Sequence, residues 1–203
     1  MFYCKERYLK LDDQNIQNEM ISKEKLIEFV TPYYKNKDIM HDLSHIERIL
    51  KYVERLVKSI DYKVDIDIDI DIDILIYGAY FHGFIYNSEK NIIQWLQSQN
   101  MSRSMIKKII NASRESQKDE EAITIEGKIL HDAHMIEGGK TYLIVKSLIT
   151  GSVRGQTLEE TIKYVEDNVL GKGTCYLPKA KMIYQEQQEF AKAFIYDLKV
   201  GLK

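Results

Sequence analysis

His41-Asp42-Leu43-Ser44-His45-Ile46-Glu47-Arg48-Ile49-Leu50 is the stretch on which the reading of this chain turns. From Ile46 onward, Ile49, Leu50, Val53, Leu56, Val57 and Ile60 recur at three- and four-residue steps, which is the core-facing stripe of an amphipathic helix. Ser44 followed by Glu47 has the spacing of a capping box and puts His45 in the first turn. A side chain placed there lies at the end of the core and still reaches solvent or an ion. Taken alone, His41 and His45 read as surface histidines beside a cap, and it is the rest of the chain that argues otherwise.

Upstream, residues 1–13 read as a polar lead-in, and Met20, Ile21, Leu26, Ile27, Phe29 and Val30 predict a first helix that closes before Pro32. Downstream, Val64 to Ile74 alternates isoleucine and aspartate. That period matches a strand, but a two-residue repeat inserted between helices gives the same pattern. We read its first half as a solvated loop and its second half as the start of the next helix, with an aspartate in the N-terminal turn. The stretch lacks the glycine and ligand order of a calcium loop. Leu75 to His82 is nearly apolar all round, which marks a central buried helix; Gly78 and Ala79 permit close packing, and Gly83 suits a left-handed terminator. His82, in the last turn, is either a core residue with one nitrogen satisfied or a metal ligand.

Further helices are predicted after a cap at Asn87 or Ser88, after Ser102 or Ser104, from Ile125, from Tyr142 to Leu148, from Leu158 to Leu170 after a Thr157 cap, and from Leu177 to Leu198. On the helix from Ile125, Asp132 shares a face with Ile129 and Ile136, so a carboxylate stands where an apolar residue is expected and needs a partner. Gly138-Gly139-Lys140-Thr141 ends like a phosphate loop, but His134 occupies the place of the required first glycine. The whole reads as all-α and as one domain over 1–203, with a core over 20–152 and C-terminal helices over 157–200 packed on it.

Composition narrows the function classes. The 203 residues are 44% hydrophobic and 30% charged, enough for a closed core. The 29 basic and 31 acidic residues are intermixed, so there is no electrostatic footprint for a nucleic acid polymer or an anionic membrane. Cys4 and Cys175 are isolated, which suits a reducing cytoplasm. The N-terminus lacks the apolar run of a signal peptide, and no stretch is apolar for long enough to span a bilayer.

Three segments together resemble the HD-domain superfamily of metal-dependent phosphohydrolases, particularly its small bacterial members. They are His41-Asp42-Leu43-Ser44-His45-Ile46-Glu47-Arg48-Ile49, Gly78-Ala79-Tyr80-Phe81-His82-Gly83, and Asp132-Ala133-His134-Met135-Ile136-Glu137. Lys146 falls where that family often carries an arginine, and Gly151 where it carries a glycine. The resemblance implies a helical bundle of HD type and a divalent metal held by His45, His82 and Asp132, with Mn, Fe, Co, Mg, Zn and Ni not distinguished. It implies hydrolysis of a small phosphate ester or nucleotide, with Lys146, and secondarily Arg48, neutralising the phosphate.

The departure from the family is Gly83 in place of the aspartate of the His-Asp pair; His134 and Glu137 also replace family aspartates. Glu89 and Glu115 are the carboxylates that could stand in, and Gly83→Asp is expected to raise metal affinity. The alternative is a catalytically degenerate binding or regulatory protein of the same fold.

Overall fold

The computed structural model describes residues 22–60 and 69–203, and among these residues there are nine helices and no strand. They are α1 (Lys23–Tyr34), α2 (Leu43–Ser59), α3 (Ile72–Phe81), α4 (Ile85–Ser98), α5 (Arg103–Glu115), α6 (Ile125–Met135), α7 (Tyr142–Val153), α8 (Leu158–Asn168) and α9 (Pro178–Gly201). The all-α expectation holds. Residues 1–21, with the lead-in and the Met20-Ile21 start assigned to the first helix, lie outside the described residues, as does the repeat up to Ile68.

The caps explain where most helices begin. Ser102, Thr124 and Thr157 each accept a bond from the backbone two or three residues inside α5, α6 and α8, and at α8 Glu160 completes the reciprocal box. Asp71 caps α3 by accepting from Asp73 N and Ile74 N, so the second half of the Asp-Ile repeat does start a helix.

Three local expectations are corrected. First, α2 starts at Leu43 and is capped by Asp42, whose carboxylate accepts from Ser44 N, while the Ser44 hydroxyl accepts from Arg48 Nη1 at 2.7 Å. Second, α1 continues through Pro32 to Tyr34; so close to the helix end the missing N–H costs a single bond. Third, Ser88 is not a cap but a kink inside α4, with φ −138°.

α3 is the buried centre, packed against α2, α5 and α6. Gly78 permits this, since a Cβ there would stand 2.7 Å from Leu130 Cδ1 on α6. The stripe of α2 is buried at Ile46, Ile49, Val53 and Leu56, each contributing about 1.5–3 kcal/mol. A second apolar cluster, Ile144, Ile162, Val165, Ala191 and Ile195, joins α7, α8 and α9.

α3 ends on Tyr34, whose hydroxyl donates to Tyr80 O at 2.9 Å and accepts from Gly83 N at 3.1 Å. Gly83 is not left-handed, contrary to expectation. What requires glycine is crowding: a Cβ there would meet Tyr34 OH at 2.7 Å, Tyr34 Cε1 at 2.8 Å and Lys37 Nζ at 2.9 Å. Gly83→Asp should therefore destabilise the protein by about 1–3 kcal/mol through overpacking. Its carboxylate would start beside Lys37 and pair with it, so metal affinity should not rise. Thermal unfolding and a metal titration check this; tighter metal binding at unchanged stability would restore the sequence-based expectation.

Candidate metal centre

Three helix ends converge around α3. His45 stands in the first turn of α2, His82 caps the C-terminus of α3, and His134 lies in the last turn of α6. Each offers a ring nitrogen, and these three atoms all lie within 4.8 Å of one another. The ring centroids are 4.3 Å apart for His82 and His134, 5.6 Å for His45 and His134, and 5.7 Å for His45 and His82.

Hydrogen-bond partners assign the tautomers of His82 and His134. Ser116 Oγ gives its one hydrogen to Ser113 O at 2.6 Å, so it can only accept from His82 Nδ1, 2.7 Å away. Gln117 Nε2 also lies 3.0 Å from that nitrogen, but its two hydrogens have carbonyl acceptors in His82 O at 2.9 Å and Ser113 O at 3.3 Å. His134 Nδ1 donates to Ser116 O at 3.3 Å, and a carbonyl only accepts. His45 Nδ1 lies 2.9 Å from Glu137 Oε1, although off the line of a regular hydrogen bond. With every Nδ1 facing an oxygen acceptor, Nε2 is the lone pair each ring can present. This is how ligating histidines are oriented.

Electrostatics agree with neutral rings. Burial pushes the proton affinity of His45 down, and pushes those of His82 and His134 well down; Lys146 depresses all three further. At Glu137 burial alone would favour the neutral acid. His45 and Lys146 outweigh it and hold the carboxyl at about 2, against an ordinary 4.5. The ionised form is worth roughly 3 kcal/mol to the fold, present above pH 4.5 and lost as pH falls through about 2. Glu137 also receives Arg48 Nε at 2.6 Å and Lys146 Nζ at 2.9 Å.

Of the residues singled out from sequence, His45 and His82 therefore meet, and Asp132 does not join them. It is fully buried, and its carboxylate accepts from Tyr176 N at 2.9 Å and Leu177 N at 2.7 Å, tying the segment before α9 to α6. His131 Nδ1 lies 3.2 Å from the same group. The apolar-face carboxylate found its partner in backbone N–H groups.

Arg48 and Lys146 are bound to Glu137. Neither proposed stand-in reaches the cluster: Glu89 pairs with Arg114, and Glu115 accepts from Ile123 N and Thr124 N. Sequence reasoning passed over His134 as a candidate ligand and over Ser116, which bonds two of the three rings. A histidine standing in an aspartate position of the third segment was the available signal for His134; Ser116 had none.

The donor set fits a metal ion. An ion bound to imidazole at about 2.0–2.1 Å holds its nitrogens about 3.4 Å apart in a tetrahedron, and the three ring nitrogens, all within 4.8 Å of one another, exceed that by at most about 1.4 Å. Imidazoles suit Zn, Fe, Cu and Ni better than Mg, which prefers carboxylate and water. A groove of about 420 Å³ beside α8 and α9, lined by Glu166, Leu170, Lys192 and Ile195 among others, includes none of these residues. Among the described residues, no helix is long and apolar enough to cross a membrane.

Solved structures share the fold. The chain is similar to the Lin1889 protein of Listeria innocua (23% identity, TM-score 0.62, covering 88% of this chain and 96% of that one). It is also similar to YpgQ of Bacillus subtilis, crystallised in complex with ADP (16%, TM-score 0.66, 88% and 93%), and to a Lactobacillus plantarum protein (14%, TM-score 0.69, 90% and 99%). No protein-family model and no curated protein matches the chain.

Proposed function

We propose that this chain is a metal-dependent phosphohydrolase of HD type, acting on a small phosphate ester or nucleotide through an ion held by His45, His82 and His134. The observation that carries the reading is the convergence of three neutral imidazoles, two with Nδ1 bound to an oxygen acceptor and the third, His45, with Nδ1 2.9 Å from Glu137 Oε1. The ADP bound to YpgQ, a protein of the same fold, supports a nucleotide ligand. A divalent cation here would supply Lewis acidity, polarising a phosphoryl oxygen and activating water, and three protein ligands leave room for both.

The chain's own residues supply the rest. Glu137 and Ser116 orient the ligating rings. Lys146, half-buried against Glu137 and acting electrostatically on all three rings, is the cation assigned to meet phosphate oxygens. His41, whose Nδ1 faces both Asp38 oxygens at 2.9 Å and whose ring lies 5.9 Å from that of His45, presents Nε2 as a site to hold or pass a proton.

The test is phosphate release from a panel of nucleotides and generic phosphate esters with Zn, Co, Ni, Mn or Mg supplied singly. Turnover is expected with an imidazole-preferring metal and not with Mg alone, and it should vanish in His134→Ala. Metal loading without turnover on any substrate would favour the second reading, a binding protein that retains its ligand. That reading draws on the site's composition, since no carboxylate joins the three-histidine group among the described residues.

A further inference from the structure

Lys37 occupies the flank of the site that Gly83 leaves without a carboxylate. Its Nζ donates to Gly83 O at 2.5 Å, one residue past His82, and would lie 2.9 Å from a Cβ on residue 83. The ammonium is placed by Tyr34: Lys37 N donates to Tyr34 O at 3.1 Å, and Nζ rests 5.0 Å from the centroid of the Tyr34 ring. Gly83 O is its one hydrogen-bond acceptor among the described residues, so two of its three hydrogens remain for a ligand.

We infer that Lys37 makes metal binding at the three histidines depend on a phosphoryl anion, opposing the cation when it is alone and clamping the anion that accompanies it. This rests on the metal-site reading above and adds a coupling to it. The physical case is one of charge. Three imidazoles bring no negative charge to a divalent cation, and the adjacent carboxylate, Glu137, is already shared by His45, Arg48 and Lys146. Lys37 acts on His82, and Lys146 on all three rings, in the direction that disfavours added positive charge. Asp38, the neighbouring acid, is committed to His41 and to Met40 N.

A bare cation therefore enters against two ammonium groups. A phosphoryl dianion reverses the sign, because it coordinates the ion and accepts from Lys37 and Lys146 together. By linkage, the factor by which phosphate tightens metal binding equals the factor by which metal tightens phosphate binding.

The experiment uses the full chain, Co²⁺ followed by its visible absorption, and inorganic phosphate against chloride at equal ionic strength. For the unsubstituted protein, phosphate should tighten Co²⁺ binding by about tenfold, within the usual range of such couplings. Lys37→Met and Lys37→Gln, the second keeping a donor for Gly83 O without the charge, should bind Co²⁺ alone more tightly and lose most of the phosphate effect. These shifts run in opposite directions, which a general loss of folding does not produce. Co²⁺ binding that ignores phosphate in the unsubstituted protein, or a full phosphate effect retained in both variants, would overturn the coupling while leaving the metal site standing. No Co²⁺ binding by any form, with or without phosphate, would overturn the metal-site reading and this inference with it.

Discussion

Replacing His134 by alanine should weaken metal binding by at least one to two orders of magnitude while leaving the protein folded. The magnitude is bounded from below: removing a group that merely orients a ligand costs roughly 10–100-fold, and His134 is one of the three candidate ligands in the cluster among the described residues. Glu89, Glu115, Asp132 and Glu137 do not stand free to replace it: the first two are held by other partners, Asp132 is turned to the backbone of Tyr176 and Leu177, and Glu137 is shared by Arg48 and Lys146. His134 is half-buried as a residue and its ring donates a single long bond, 3.3 Å to Ser116 O, so its loss breaks few contacts. His82→Ala should match it in metal affinity but cost more stability, since His82 is buried and its Nδ1 satisfies Ser116. Competition against a chromophoric chelator reads both. Metal affinity within about threefold of the unsubstituted protein in either folded variant would mean that the histidines do not act as one ligand set.

Much of the architecture was legible because it is written in local rules. The apolar stripe of α2, the all-apolar α3, and the Ser102 and Thr157 caps are statements about neighbours three or four residues away, and the structure follows them. The site was only half legible for the converse reason. His45 and His82 mark helix termini, which sequence patterns locate well.

Choosing between Asp132 and His134 required knowing which face of α6 meets α3 and which meets the segment before α9. That depends on contacts across more than forty residues, such as Tyr176 N to Asp132. Two residues apart on a helix, the two side chains diverge by more than half a turn and cannot serve the same cavity. Gly83 was misread for a similar reason. Its requirement comes from Tyr34, forty-nine residues earlier, rather than from its own backbone angles.

Asp132→Ala supplies the complementary test, because the structure makes this residue a clamp. The carboxylate is fully buried and satisfies the N–H groups of Tyr176 and Leu177 at the entrance to α9. Burial and this same acid together push the Cys175 thiol toward its protonated form, leaving Asp132 a further buried donor to satisfy. Truncation orphans at least two backbone donors in a half-buried setting, and each costs about 1–3 kcal/mol. A net loss of roughly 2–4 kcal/mol lowers the midpoint of thermal unfolding by about 5–15 °C for a domain of this size. Asp132→Asn, which keeps one acceptor oxygen, should fall in between. Metal affinity measured well below each variant's unfolding temperature should stay within about threefold of the unsubstituted protein, because none of the three imidazoles leans on this carboxylate. If instead Asp132→Asn kept its stability and lost the metal, the acid would belong among the ligands and the three-histidine assignment would fail.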